Sequence, residues 1–316
     1  MKIVFMGTPE FAVPGLLALI NEGHLVCAVV TSPDKPAGRG LVIQQSPVKK
    51  AALDHGIPVL QPTNLKSPDF IAQLKQLEAE LFVIVAFRML PEAVWTMPPR
   101  GSINLHASLL PQYRGAAPIN WAVINGETET GLTTFFLKHE IDTGNIIFFE
   151  KVPVPFEMSA GELHNILKDK GAILIAKTVN AIENGTYESL PQNPVKNMEI
   201  KAAPKLFPAN CRIDWNKNAV QVYNFIRGLS PYPAATTEFV FNEKETVAIK
   251  IFKAGILFAE KFGQAGTFQI RNKNELFINC ADKSIQILEL QMAGKKRMAT
   301  PDFLRGVKFD DKAIFN

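Results

Sequence analysis

KIVFMGTPEFAVPGLLALINEGHLVCAVVT, residues 2–31, decides the fold. Its first six residues form an apolar run, residues 9–22 space their apolar positions as a helix does, and residues 25–31 are apolar again. Strands that are apolar at nearly every position must be buried on both faces, the condition of a parallel sheet covered by helices. The same rhythm continues through helix-like stretches at 47–55 and 67–78 and strand-like runs at 81–86 (LFVIVA) and 101–106 (GSINLH). The expected class is α/β, a doubly wound and mostly parallel sheet whose ligands bind beyond the carboxyl ends of its strands.

From about residue 130 the rhythm changes. TGLTTFFLK and NIIFFEKVPV predict two strands joined by HEIDTG, and residues 160–183 predict a long amphipathic helix. Residues 188–208 (ESLPQNPVKNMEIKAAPKLFP) hold four prolines and no sustained period, the mark of a linker. Beyond it, a helix near 218–228 and the alternating segments ATTEFVF, TVAIKIFKAGIL, GTFQI, ELFINC and SIQILELQ predict a small β-barrel. The expected domains are 1–189, carrying the sheet and the chemistry, a linker at 190–205, and the barrel at 206–316.

Hydrophobic residues make up 47% and charged residues 20% of the 316, an ordinary globular balance. No apolar stretch reaches the roughly 20 residues that span a bilayer and no export signal is expected, so the expected location is the cytoplasm. Cys27, Cys211 and Cys280 are far apart and read as packing residues, and the five histidines lack partners at ligand spacing, so no metal is expected. The net charge of +4 is uneven: residues 1–204 carry 17 basic and 19 acidic side chains, residues 205–316 carry 17 and 11. A basic C-terminal third permits a polyanionic partner, and equally a plain solvated face.

A strand-turn-helix start invites a dinucleotide reading. The turn is Gly7-Thr8-Pro9-Glu10-Phe11, with one glycine where a pyrophosphate turn needs three, and GxxxxGK[ST] is absent, so neither NAD nor ATP is expected. The informative stretch is GSINLHASLLPQYRGAAPI, residues 101–119. In a strand, Asn104 and His106 project from one face, near its carboxyl end. An amide donor beside an imidazole suits acyl transfer: Asn104 donates to a developing oxyanion and His106 exchanges protons, with no nucleophilic serine or cysteine if an amine attacks directly. A strand-end histidine is also a common hydrogen-bonded packing residue, and the pair alone leaves both readings open. Asp142, in HEIDTGN, is suited to orient an imidazole, while Asp-Thr-Gly is equally an ordinary turn.

NLHASLLPQYRGAAPINWAVINGETETGLT followed by IDTGNI resembles the signature of the folate-dependent formyltransferases. The resemblance implies Asn104, His106 and Asp142 as the catalytic set, 10-formyltetrahydrofolate as formyl donor, and Ser108, Leu109, Leu110 and Pro111 as the folate-contacting loop. SPDKPAGRG (32–40), RIDW (212–215), IRGLSPYPAA (226–235) and AGKKRM (293–298) are similar to marks of the branch that acts on methionyl-tRNA. That implies an OB-type barrel, initiator methionyl-tRNA as acceptor and an RNA contact at Arg39; by charge, Lys35, Lys49 and Lys50 of the same loop can also face a phosphate-lined groove, and the loop reads equally well as a solvated surface. Lys295, Lys296 and Arg297 are further RNA candidates by charge, and a monomer is expected. One departure stands out. The family commonly shows alanine-tyrosine-glycine ahead of a leucine-proline pair, whereas Ala86-Phe87-Arg88-Met89-Leu90-Pro91 is one residue shorter, with arginine in place of glycine. Phe87 and Arg88 therefore lie at the expected pterin pocket in altered form. Two rivals differ in class. An amino-sugar formyltransferase shares the Asn-His-Asp set and has no use for the basic insertion at 31–50; an RNA-binding module with a degenerate site would not retain the intact set.

Overall fold

The structure is a computed structural model and describes residues 1–37, 42–192, 199–242, 245–307 and 314–315; Arg39 lies outside them. In chain order the elements begin β1 (Lys2–Gly7), α1 (Val13–Asn21), β2 (Leu25–Val30), β3 (Lys35–Ala37), β4 (Val42–Gln44), α2 (Pro47–Asp54), β5 (Val59–Leu60) and α3 (Pro68–Gln76). There follow β6 (Leu81–Val85), α4 (Glu92–Trp95), β7 (Ser102–His106), β8 (Arg114–Gly115), α5 (Pro118–Ile124), β9 (Glu129–Phe136), β10 (Ile146–Pro153), α6 (Ala160–Asn184) and β11 (Ala202–Ala203). The remainder is α7 (Ala219–Leu229), β12 (Ala235–Asn242), β13 (Glu245–Ala254), β14 (Ala259–Glu260), β15 (Phe268–Arg271), β16 (Glu275–Asn279), β17 (Lys283–Met292), β18 (Met298–Ala299), α8 (Thr300–Gly306) and β19 (Ile314–Phe315).

Two compact units result. The first comprises residues 1–115, 130–152 and 164–202. Its sheet has the order β10-β9-β7-β6-β1-β2-β5. From β5 to β7 the neighbours are parallel, and β9 runs antiparallel to β7. The chain leaves β1 toward β2 on one side and later returns to β6 on the other, so the switch point lies between β1 and β6, where such sheets bind ligands. Side-chain alternation sorts the faces. Val4, Met6, Ala28, Val30, Phe82 and Ile84 pack against Phe70 and Leu74 of α3 and Val94 of α4. On the opposite face, Gly15 of α1 is so close to Ile175 of α6 that a Cβ would stand 2.6 Å from its Cδ1, and one on Gly171 would stand 2.8 Å from Leu105. Each fully buried large aliphatic or aromatic side chain contributes about 1.5–3 kcal/mol, so this double cover fixes the central strands. α2 starts where Ser46 accepts the Lys49 backbone N–H at 3.0 Å and Pro47 opens the first turn, a favourable N-terminal pairing.

The second unit comprises residues 116–129, 153–163 and 203–316. Its antiparallel sheet has the order β15-β16-β17-β13-β12-β19, with β14 and β18 also paired to β17. Ile249, Ile251, Leu276, Ile278, Ile285 and Ile287 alternate inward against Val222 and Ile226 of α7, which an Asn218–Gln221 capping box starts. The sheet curls back on itself: the Phe315 N–H donates to the Gly266 carbonyl at 3.0 Å, and the rings of Phe239, Phe268 and Phe315 meet at 4.6–5.7 Å. Gly266 has φ +83°, and a Cβ there would stand 2.2 Å from the Phe315 carbonyl oxygen. The unit boundary departs from a cut at the linker, because 116–129 and 153–163 fold with residues beyond 203. α5 explains the first excursion. Asn120 donates to the Gly228 carbonyl at 2.8 Å, and Gly228 admits α5 so closely that a Cβ would meet Ile124 at 2.6 Å. No helix among the described residues is long and apolar enough to cross a membrane.

Candidate active site

The parallel strands of the first unit end along one edge, where the segments at 7–9, 31–34, 61–64, 86–90 and 107–111 follow β1, β2, β5, β6 and β7. Asn104 pairs with Ile84 across β7 and β6, so it and His106 share the face of Ile84. Asn104 is half-buried, and among the described residues its amide has no hydrogen-bond partner. An unspent amide on a face that it shares with Ile84 and His106 is available to a ligand.

His106 is 7% exposed, hydrogen-bonded at one ring nitrogen and facing a carboxylate with the other. Its Nε2 lies 2.8 Å from the Tyr113 carbonyl oxygen, and its Nδ1 lies 3.7 Å from Asp142 Oδ2. A carbonyl only accepts, so Nε2 carries the hydrogen in every protonation state of this geometry. Nδ1 is then the position that gains or loses a proton, and it faces a carboxylate. Asp142 Oδ2 is fixed by the Gly115 N–H at 2.9 Å. The backbone around the pair is unusual: Ala86, Tyr113 and Asp142 have φ of +48°, +60° and +55°. Left-handed non-glycine residues concentrate where surrounding structure over-determines a site; Asp is the most tolerant of the three.

The linker segment supplies supports that sequence reasoning missed. Gln192 donates to the carbonyls of Asp142 and Gly144 at 2.9 and 2.7 Å and accepts from Arg114 at 2.7 Å. Gln112 donates to the Glu199 carbonyl and accepts from the Lys201 N–H, and the Tyr113 N–H donates to the Lys201 carbonyl at 2.7 Å. Main-chain acceptors can be served by any residue, so no spacing in the sequence announces them.

The 108–111 loop is fixed more than it is open. Thr133, opposite His106 on β9, donates to the Ser108 carbonyl at 2.7 Å and accepts from the Leu110 N–H at 3.2 Å. Ser108 is fully buried and its hydroxyl donates to the Gln112 carbonyl at 2.6 Å; Leu110 is buried too. Leu109 and Pro111 are half-buried. The side chains of Ser108 and Leu110 are therefore turned into protein, which leaves the loop's backbone, Leu109 and Pro111 as the parts accessible to a ligand. Phe87 packs against the core beside Leu65 and Leu90. Arg88, expected at the pterin, spends both terminal nitrogens on main chain: Pro62 O at 2.7 Å and Thr63 O at 3.3 Å.

Among the RNA candidates, Lys35 is exposed at the start of β3. Lys49 is committed, donating to Asp34 Oδ2 at 2.6 Å and Gln61 Oε1 at 2.8 Å, so it is not a free cation of that loop. Hydrogen bonds from Lys49 and Gln61 hold the Asp34 carboxyl below its ordinary range. In the second unit Lys295, Lys296 and Arg297 are exposed, but Arg297 is paired with Glu289 and lies over the Phe252 ring at 4.3 Å. No group of three His, Cys, Asp or Glu side chains suited to a metal occurs among the described residues. Burial pushes the thiols of Cys27 and Cys211 up, and that of Cys280 up to about 12, so all three stay protonated and poorly nucleophilic near neutrality.

A partnerless amide, an imidazole and a carboxylate thus stand at the edge of a parallel sheet, groups of the kind that acyl transfer to an incoming nucleophile can use. Residues 1–179 match the family model described as formyl transferase, and residues 205–308 match that of the formyl transferase C-terminal domain. The chain belongs to the formyltransferase family. It is 52% identical to the methionyl-tRNA formyltransferase of Bacteroides fragilis over 97% of this chain and 95% of that one. To that of Bacteroides thetaiotaomicron it is 49% identical, over 98% and 97%. Solved structures share the fold at low identity. An N-formyltransferase from Helicobacter canadensis, complexed with folinic acid and dTDP-3-aminofucose, has a TM-score of 0.64 at 22% identity over 91% of this chain and 98% of that one. HypX from Aquifex aeolicus, complexed with tetrahydrofolic acid, has 0.63 at 18%, over 98% and 48%.

Proposed function

We propose that this chain transfers the formyl group of 10-formyltetrahydrofolate to the α-amino group of methionyl initiator tRNA, acting as a monomer. The observation that carries the reading is the meeting of His106 and Asp142 at 3.7 Å beside an unspent Asn104 amide, in a chain half-identical to methionyl-tRNA formyltransferases along nearly its full length. The folded neighbours complexed with folinic or tetrahydrofolic acid support a folate donor.

The folate supplies a formyl carbon bound to a nitrogen leaving group, which the amine of the methionyl ester attacks. An α-amino group has an ordinary pKa of about 7.7–8.0, and the electron-withdrawing ester beside it lowers that of the methionyl amine, so neutral amine is available near pH 7. Asn104 Nδ2–H donates to the oxygen as charge develops on it. His106 Nδ1 accepts the proton released by the attacking nitrogen, and the Asp142 carboxylate faces the charge formed on the ring. The same proton returns to the departing nitrogen, and the pair is restored. Nε2–H, fixed on Tyr113, keeps the ring from turning between the two transfers.

The testing experiment gives purified protein 10-formyltetrahydrofolate with either charged initiator tRNA or a 4-amino-sugar nucleotide. Formylmethionyl-tRNA alone is expected. Formyl transfer to the sugar and not to the tRNA defeats the reading, and binding of tRNA with no transfer to either defeats it in favour of a binding module.

A further inference from the structure

Arg88 stands where the family commonly has glycine, and the structure shows what it holds. It leaves the end of β6 just after Ala86, and its guanidinium lies 5.4 Å from the Phe87 ring centroid. Its Nη2 and Nη1 donate to the carbonyls of Pro62 and Thr63, in the segment after β5. In the sheet, β1 and β2 lie between β6 and β5. With neighbouring strands about 4.8 Å apart, this contact joins loops whose strands stand about 14 Å apart, and it does so past the carboxyl ends of β1 and β2. Nε is buried without a hydrogen-bond partner among the described residues. An arginine kept in place despite an unpaired buried N–H is held by its other bonds, and bonds from a charged donor are the strong ones.

The segment it grips is itself tied to the basic insertion. Gln61, next to Pro62, donates to the Ser32 carbonyl and to Asp34 Oδ1, both at 2.8 Å, and accepts from Lys49 at 2.8 Å. Lys49 closes the ring of contacts on Asp34 Oδ2 at 2.6 Å. Asp34 immediately precedes Lys35, the first residue of the β3–β4 hairpin. A line of hydrogen bonds and adjacent residues therefore runs from the end of β6, the strand beside Asn104, through 61–63 to the hairpin root.

We infer that Arg88 is a positioning residue that keeps the folate-side loop after β6 and the root of the β3–β4 hairpin in one fixed arrangement, so that a single side chain sets the affinity for both substrates. The inference rests on the assignment of that hairpin to RNA contact under the proposed function. Arginine suits the task because its fork reaches two carbonyls at once, which an ammonium cannot do in the same geometry.

The test measures kcat, the KM for 10-formyltetrahydrofolate and the KM for charged tRNA in Arg88→Ala and Arg88→Lys, with amide hydrogen exchange over residues 58–66 and 42–46. Loss of the clamp is expected to raise both KM values about tenfold, to change kcat far less, and to speed exchange in both segments. Arg88→Lys recovers part of each effect by serving one carbonyl. Arg88→Ala combined with Gln61→Ala raises the KM for tRNA by less than the product of the single effects, because both act through one segment. A raised KM for folate alone, with exchange at 42–46 unchanged, overturns the inference, as does an unchanged pair of KM values. Lys35→Ala separates it from its premise. If Lys35→Ala leaves the KM for tRNA unaltered, the hairpin assignment falls and the two-substrate claim with it; unaltered exchange in Arg88→Ala overturns the clamp whatever Lys35 does.

Discussion

The carboxyl edge of the first unit and the basic turn of the second hold polar residues in opposite ways. At the edge the polar groups are tied to fixed partners: His106 Nε2 to Tyr113, Asp142 to Gly115, Gln192 to two carbonyls and Ser108 to Gln112, while the Asn104 amide has no partner among the described residues. At the turn, Lys295 and Lys296 are exposed, and of the three cationic side chains only Arg297 has an ion pair among the described residues. The difference follows from the work proposed for each. Moving a proton and stabilising an oxyanion need groups held to within a few tenths of an ångström, whereas attraction to a phosphate backbone needs charge and tolerates motion. Substitutions at the edge should act on turnover, and substitutions at the turn on RNA affinity and its salt dependence.

That contrast is broken most severely by removing the imidazole. His106→Ala should reduce kcat by about 10²–10⁴, the range for a missing proton-transfer group, with the Kd for tRNA unchanged. A variant with kcat within a few-fold of the parent has its proton carried elsewhere. A smaller and different change is expected from Lys295→Ala with Lys296→Ala. kcat should hold while the KM for tRNA rises, and the slope of log affinity against log salt should fall by about 0.7–0.9 for each phosphate that the variant leaves unneutralised. An unchanged slope would remove the turn from the RNA surface.

The smallest effect is one of pH. The Asp34 carboxyl is held below its ordinary range by Lys49 and Gln61. A depressed folded value contributes stability above the unfolded value, and that contribution is lost as pH falls through the folded one. The Lys49–Asp34–Gln61 root should therefore outlast the ordinary aspartate value near pH ~4, with amide exchange over 42–50 rising only at lower pH. A rise centred on the ordinary value would show that the Lys49 and Gln61 bonds do not hold in solution.

The same contrast explains what was legible in the chain. Apolar runs and their period predicted the central strands, and the two-residue spacing placed Asn104 and His106 on one face, because periodicity records burial. The β3–β4 hairpin, the two-residue β5 and α8 went unread, since short elements carry no period. Gln192 sits in a segment that reads as linker, yet it holds the Asp142 loop through backbone carbonyls, and such acceptors leave no trace in residue type. The excursion of 116–129 into the second unit depends on Gly228 meeting Ile124, a long-range fit that no local pattern encodes. Family resemblance placed Arg88 at the pterin; its bonds to Pro62 and Thr63 follow only from coordinates.

Single-turnover formylation by Asn104→Ala, at saturating 10-formyltetrahydrofolate and methionyl-tRNA, bears most directly on the proposed mechanism. Loss of one oxyanion donor predicts a rate lower by about 10²–10³ with the Kd for tRNA unchanged. A rate within a few-fold of the parent would contradict the placing of that amide at the reacting oxygen.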